Sequence, residues 1–151
     1  MNKKLFYSML YGMTFLNLLM AAGVSCGAPR YKDNRLLTFI REFESIYAVS
    51  ADSISAKLVD GDLMSNNPDV VGLCMPDTNN LLFRQEYWDM MTFTRKKIRV
   101  FHELAHCLMG RDHRDDVYPD GCPRSIMSTY LMDERCFDMH EGELLQELRF
   151  Y

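Results

Sequence analysis

Three of the four histidines in this chain lie in the segment HELAHCLMGRDH, residues 102–113. If this segment is helical, His102 and His106 are four residues apart and share one face, so both imidazoles can bind a single metal ion. Glu103 follows the first histidine directly, where a carboxylate lies beside the metal and can accept a proton from an activated water. The spacing therefore predicts a zinc site with His102 and His106 as ligands and Glu103 as general base.

A third ligand must come from beyond a turn. On a continuing helix, a residue seven positions after His106 would lie about 10 Å further along the axis. Gly110 can end the helix in the left-handed conformation and let the chain turn. His113 is the favoured third ligand, because imidazole is a common zinc ligand, and Asp112 is its rival.

Met127 lies shortly after the third histidine, in residues 123–130, where a methionine in a tight turn can form an apolar floor under the site. With the HExxH motif, the later Gly-x-x-His and this methionine, residues 102–130 resemble the metzincin clan of zinc metallopeptidases. The resemblance implies a peptide or protein substrate, and it gives Met127 the role of the Met-turn methionine. It also implies one catalytic zinc ion, a general base at Glu103 and three ligands, which are His102, His106 and His113.

The chain departs from the family pattern by one inserted residue. Gly110 and His113 each come one position later than in the family, and Met109 and Asp112 occupy the family's positions. The interval between the glycine and the histidine is kept. The extra residue therefore falls inside the helix and rotates the following turn by about 100°.

Two further pairs of residues are candidates for the site. Tyr118 or Tyr130 could donate a hydrogen bond to the oxyanion that forms during hydrolysis. Glu134 or Glu141 could act as a distant third ligand, as in gluzincins, but that arrangement leaves the third histidine and the later methionine without a role.

Periodicity predicts an α+β domain spanning residues 26–151. Apolar residues repeat at helical spacing over residues 34–48, and a closing helix is predicted over residues 134–149. Three short strands are predicted at residues 54–59, 70–75 and 81–88. We expect a small twisted sheet that packs on the first helix and on the zinc-binding helix, as in a minimal metzincin-like domain.

Residues 1–25 have the form of a signal sequence, with Lys3 and Lys4 followed by an uncharged, apolar run. Small residues precede Cys26, as in bacterial lipoprotein signals, so Cys26 is the predicted site of lipid attachment. These features predict an exported protein anchored in an outer or cell membrane and facing the periplasm or the exterior. Cleavage near Ala28 with free secretion, or an uncleaved membrane anchor, are the alternatives.

The other four cysteines form an even set in an exported chain and predict two disulfides. They are Cys74, Cys107, Cys122 and Cys136. Three pairings are possible, and the sequence does not choose among them. Cys107 points about 100° away from its neighbour His106, so we expect it to be packed or bridged rather than bound to metal.

The chain carries 21 acidic and 17 basic residues, a formal net charge of −4, and loss of residues 1–25 makes it more negative. This charge argues against a nucleic-acid partner. The four basic residues in 95–99 are interpreted as a solvated helix face, and the four aspartates in 112–120 as an acidic surface loop.

The sequence therefore predicts a zinc-dependent metallopeptidase that acts on a peptide or protein substrate. A non-catalytic zinc-binding surface lipoprotein, acting as a binding or inhibitory module, is the alternative from another class. A zinc amidase that acts on a non-peptide substrate uses the same chemistry. Cleavage preference and oligomeric state do not follow from the sequence.

Overall fold

A computed structural model describes residues 30–150, which form an α+β fold with four α-helices and a mixed three-stranded sheet. The predicted signal sequence, residues 1–25, and Cys26 lie outside these residues. The strands are β1 (Ser55–Val59), β2 (Gly72–Met75) and β3 (Asn80–Arg84), in the order β1-β3-β2. β3 is parallel to β1 and antiparallel to β2, so β2 forms one edge of the sheet.

The first helix, α1, spans Asn34–Tyr47, as the periodicity predicts. Asp33 caps its N-terminus by accepting a hydrogen bond from the backbone N–H of Arg35, and Ala48 ends it in the left-handed conformation. The apolar stripe of α1 is buried in the core and comprises Leu36, Phe39, Ile40 and Phe43. This stripe fixes α1 against the rest of the domain.

The third predicted strand is too long. β3 ends at Arg84, and a short helix, α2 (Gln85–Met90), replaces the end of the prediction. The last pairing of β1 is Val59 with Arg84, so a longer β3 would have no partner on that side. Packing also favours the helix, because Trp88 is buried against the rings of Phe39 and Phe83.

The long helix α3 spans Phe93–Met109 and contacts α1, β2, β3 and the last helix. Thr92 caps its N-terminus through the N–H of Arg95. Gly110, with φ of 62°, ends it at the position that the sequence predicts. The interpretation of its basic residues as a solvated face is wrong for Lys97 and Arg99, whose side chains are only 12% and 15% exposed.

The last helix, α4, spans Glu134–Phe150. Lys97 on α3 lies 2.8 Å from carboxylate oxygens of both Glu42 on α1 and Glu141 on α4, and it therefore joins three helices. Two disulfides close the fold, Cys74–Cys107 and Cys122–Cys136, so Cys107 is bridged. No helix within residues 30–150 has the length and apolar character needed to cross a membrane.

Candidate metal centre

Helix α3 brings two histidines to one face. His102 and His106 are one turn apart, and their Nε2 atoms are 3.1 Å from each other. His102 is buried, whereas His106, near the end of the helix, is partly exposed. Local helical geometry alone accounts for this pair.

The turn at Gly110 brings the third histidine back to this pair. The N–H groups of Gly110 and Arg111 both donate to the carbonyl of Ala105, which closes the end of α3. The Nε2 atom of His113 then lies 3.2 Å from that of His102 and 3.1 Å from that of His106. The three nitrogens form a nearly equilateral triangle.

Backbone carbonyls determine which ring nitrogens face the centre of this triangle. The carbonyl of Ile126 lies 2.8 Å from Nδ1 of His102, and that of Arg111 contacts Nδ1 of His106. A carbonyl oxygen only accepts, so each Nδ1 carries the proton and each Nε2 presents a lone pair. Burial is the main cause that lowers the pKa of His102, to about 3, and it also lowers the pKa of His106.

The lone pairs of His102 and His106 face the Nε2 atom of His113 at 3.1–3.2 Å, and a cation shared by the three nitrogens would remove the repulsion between them. Four tetrahedral nitrogen ligands about 2.0–2.1 Å from a zinc ion are about 3.3 Å apart, close to the spacing found here. His102, His106 and His113 can therefore hold a metal ion together. Asp112 is exposed and lines the same cleft, but it does not belong to this group.

Residues 123–130, called the Met127 segment here, contact the histidine group through His102. Met127 is fully buried, and its N–H donates to Oγ of Ser125. The same segment supplies the Ile126 carbonyl that orients His102. Asp115 also holds the segment, because its carboxylate accepts a hydrogen bond from the N–H of Thr129 at 2.7 Å.

Glu103 is buried next to the histidines and contacts strand β2. Its Oε2 atom accepts a hydrogen bond from the N–H of Cys74 at 3.0 Å, and its Oε1 atom is 3.9 Å from Nη1 of Arg99. Burial raises the pKa of Glu103 to about 7, although Arg99 and the Cys74 N–H act in the opposite direction. A carboxylate with such a pKa can both accept and deliver a proton near neutral pH.

The close approach of Glu103 requires a glycine on β2. A Cβ atom at Gly72 would lie 2.8 Å from Oε1 of Glu103 and 3.0 Å from the ring of Phe83. The roles of Gly72 and Cys74 do not follow from the sequence, because these residues are 31 and 29 positions before Glu103 and no local pattern points to them. Arg99 could have been found, because it is one helical turn before Glu103 on the same face.

An open cleft of about 730 Å³ runs over this group. One wall comes from α3 and the turn after it, and the other comes from the loop before β2 and from β2 itself. The residues of α3 that line the cleft are Arg99, His102, Glu103 and His106. The cleft therefore gives a ligand direct access to the three histidines and to Glu103.

Neither candidate tyrosine lines this cleft. Tyr118 donates to a carboxylate oxygen of Glu143 at 2.7 Å and stacks on His140, in a separate pocket. Tyr130 is 72% exposed. The structure therefore brings neither hydroxyl into the site.

The two distant glutamates are engaged elsewhere. Glu134 lies 3.4 Å from Nε of Arg95, and Glu141 is paired with Lys97. Neither lines the cleft or belongs to the histidine group.

A second cluster of possible ligands consists of Asp120, Cys122 and His140. The sulfur of Cys122 is bonded to that of Cys136, so it is not a free thiolate. His140 and Asp120 are joined by a hydrogen bond of 2.9 Å between Nε2 and a carboxylate oxygen. This cluster therefore lacks the thiolate that would make it a metal site.

Comparison with known proteins adds no assignment, because no family model, curated protein or solved structure matches this chain.

Proposed function

We propose that this protein is a zinc-dependent metallopeptidase of the metzincin type. The observation that carries the proposal is the convergence of three imidazole Nε2 atoms in an open cleft that a buried carboxylate also lines. A purely structural zinc site is usually closed by four protein ligands. Three nitrogens would leave one position of a zinc ion open, and Glu103 lines the same cleft without belonging to the histidine group.

Zinc held by His102, His106 and His113 would lower the pKa of a bound water and polarise a substrate carbonyl. Glu103 accepts a proton from the attacking water and then delivers it to the leaving amine. The Cys74 N–H holds one oxygen of the carboxylate, which limits the orientations that Glu103 can take. The Ile126 and Arg111 carbonyls keep the protons of two imidazoles away from the centre.

An extended peptide is the substrate that the cleft favours. β2 is an edge strand that pairs with no other strand on its outer side within residues 30–150, although Glu103 accepts a hydrogen bond from its Cys74 N–H. A peptide can add to such an edge through main-chain hydrogen bonds, which bind it whatever its side chains are. Leu73 and Gly72 of β2 line the cleft, so a peptide paired there passes over the histidines.

The two disulfides fit an exported protein, because such bonds persist in oxidising compartments. The proposal therefore includes export, and it keeps the sequence-based expectation that Cys26 carries a lipid.

The alternative is a zinc-binding module without activity. The hydrogen bond from Cys74 to Glu103 favours this alternative, because a carboxylate held that way can be purely structural.

The first test combines metal analysis with cleavage of a mixed peptide library. Glu103→Gln keeps the shape and the Cys74 contact but cannot accept a proton, so we expect one zinc per chain and no turnover. Glu134→Gln and Glu141→Gln are matched controls outside the cleft and should keep both zinc and turnover. Substantial cleavage by Glu103→Gln would contradict the assigned base, and zinc binding without cleavage by the wild type would favour the binding module.

A further inference from the structure

Arg99 is a buried cation in the wall of the cleft. It precedes His102 by three residues and Glu103 by four, so it lies one helical turn before them on the same face of α3. Its side chain is 15% exposed. Burial lowers its pKa, with the carboxylate of Glu103 opposing that effect.

The guanidinium of Arg99 lacks the partners that a buried cation needs. Its Nε atom is buried without a hydrogen bond, and its nearest carboxylate oxygen, on Glu103, is 3.9 Å away. That separation is too long for a hydrogen bond. Removing a cation from water is costly unless an anion and hydrogen-bond acceptors replace the water.

Three other arginines also carry a buried nitrogen without a hydrogen bond, but each of them holds a carboxylate oxygen within 3.4 Å. They are Arg84, Arg95 and Arg111. Arg99 differs because its nearest carboxylate oxygen is 3.9 Å away, beyond hydrogen-bond distance.

Arg111 is the other cation that lines the cleft, and it is paired with Glu147 at 2.7 Å. The aspartates of the lining, Asp69 and Asp112, repel an anion. Among the described residues of the cleft, Arg99 is therefore the cation that has no carboxylate oxygen within hydrogen-bond distance.

We propose that Arg99 binds a carboxylate of the substrate, and that the substrates are peptides with a carboxylate close to the bond that is cut. This inference rests on the proposed peptidase function and names its substrate class. Helix geometry places the Cα of Arg99 about 4.5 Å along the axis from that of His102, so the carboxylate comes within a few residues of the reacting carbonyl. The planar guanidinium can bind it through two parallel hydrogen bonds.

The carboxylate has two chemical sources, the free C-terminus of a peptide and an acidic side chain beside the cleaved bond. Two pairs of peptides separate them. The first pair differs only in a free or amidated C-terminus, and the second, with both C-termini amidated, differs only in Glu or Gln beside the cleaved bond. The pair with the larger ratio of kcat/KM in the zinc-loaded wild type identifies the source.

The decisive comparison is between Arg99→Met and Arg95→Met. Arg95 is on the same helix and does not line the cleft, so its variant controls for the loss of one charge from α3. We expect a wild-type preference for the carboxylate peptide of about 10- to 100-fold, lost in Arg99→Met and kept in Arg95→Met. An equal fall in kcat/KM for both members of a pair would show that Arg99 merely positions Glu103, and it would overturn the proposal.

Arg99→Lys covers the case in which Arg99→Met does not fold. Lysine keeps the charge but not the planar pair of donors, so we expect part of the preference to remain. A ratio for Arg99→Lys equal to that of the wild type would contradict the two-hydrogen-bond contact.

A binding measurement separates this proposal from the peptidase proposal. Calorimetry on zinc-loaded protein would compare 3-phenylpropionate with 3-phenylpropionamide, neither of which has a peptide bond to cut. We expect the carboxylate to bind more tightly to the wild type and this advantage to fall about 10-fold or more in Arg99→Met. If the advantage persists, the carboxylate binds elsewhere and the proposal fails. If no peptide is cleaved but the advantage depends on Arg99, the subsite stands and the peptidase assignment fails.

Discussion

At the residue scale, the main feature of the structure is a cluster of three imidazoles whose Nε2 atoms are 3.1–3.2 Å apart. Two of them are oriented by carbonyls from different parts of the chain, Ile126 and Arg111. Orienting hydrogen bonds of this kind usually contribute substantially to metal affinity, because they fix the tautomer and the direction of the lone pair. The site is therefore built by the ligands together with the backbone behind them.

Zinc affinity should depend on His113 and not on Asp112. His113→Ala removes one of three converging nitrogens, so we expect the dissociation constant for zinc to rise about 100-fold or more. Asp112→Ala removes an exposed carboxylate that is outside the group, so the constant should stay within a few-fold. Competition with a chromogenic chelator measures both, and the opposite ranking would make Asp112 the ligand.

A side chain at position 72 should destabilise the fold. In Gly72→Ala the added methyl group meets Glu103 and the ring of Phe83, so we expect a loss of about 1–3 kcal/mol in the free energy of unfolding and a lower kcat. Zinc content should be unchanged, because the three histidines are not displaced directly. Gly142→Ala on α4 is the matched control, since a Cβ there meets nothing within 4 Å, and helix propensity predicts unchanged or higher stability. Wild-type kcat in Gly72→Ala would show that the position of Glu103 is not critical.

At the scale of elements, the two disulfides connect parts that differ in importance for the site. Cys74–Cys107 joins β2 to α3 directly behind the cleft, and Cys122–Cys136 joins the loop before the Met127 segment to α4. The first bond also fixes the strand whose N–H holds Glu103. The second bond lies beside the Met127 segment, which supplies the Ile126 carbonyl.

Removing either disulfide should cost similar stability but different activity. The sequence separations of 33 and 14 residues correspond to about 3.7 and 3.0 kcal/mol of loop-closure entropy. We expect both double Cys→Ala variants to lose about 2–4 kcal/mol in denaturant titrations. Only Cys74→Ala with Cys107→Ala should lower kcat strongly at a temperature where both proteins are folded. An equal loss of kcat in the two variants would remove the special role of the bond between β2 and α3.

At the scale of the whole molecule, the site joins segments that are far apart along the chain. α3 supplies two histidines and Glu103, the turn after Gly110 supplies His113, and β2 supplies the Cys74 N–H. A ligand that binds only when these segments are assembled stabilises the folded state by mass action. Metal binding should therefore raise the free energy of unfolding of the whole domain.

Chelation should lower the melting temperature reversibly. Zinc at 100 times its dissociation constant adds about 2.7 kcal/mol to the free energy of unfolding, which corresponds to roughly 10 °C for a domain of this size. Differential scanning calorimetry with and without a chelator measures the shift, and added zinc should restore it. His102→Ala should show no shift, and Glu103→Gln should show the wild-type shift. A chelator-insensitive wild type would contradict a metal bound to the folded protein.

Features that depend on neighbouring residues could be predicted from the amino-acid sequence. Helical periodicity places His102 and His106 on one face, and the conformational freedom of Gly110 predicts the end of α3, because both effects act within one or two turns. The limits of α1 and α4 follow from the same local patterns and are confirmed to within one residue. Cys107, predicted to be packed or bridged because it points away from the histidine face, is bridged to Cys74.

Contacts between segments that are distant along the chain could not be predicted and became visible in the folded structure. It selected one disulfide pairing from three, brought His113 rather than Asp112 to the other histidines, and ended β3 at Arg84. It also placed Cys74 against Glu103 and buried Arg99 without a close partner. Such contacts depend on how helices and strands pack, and the energy of packing belongs to pairs of surfaces that no single stretch of sequence contains.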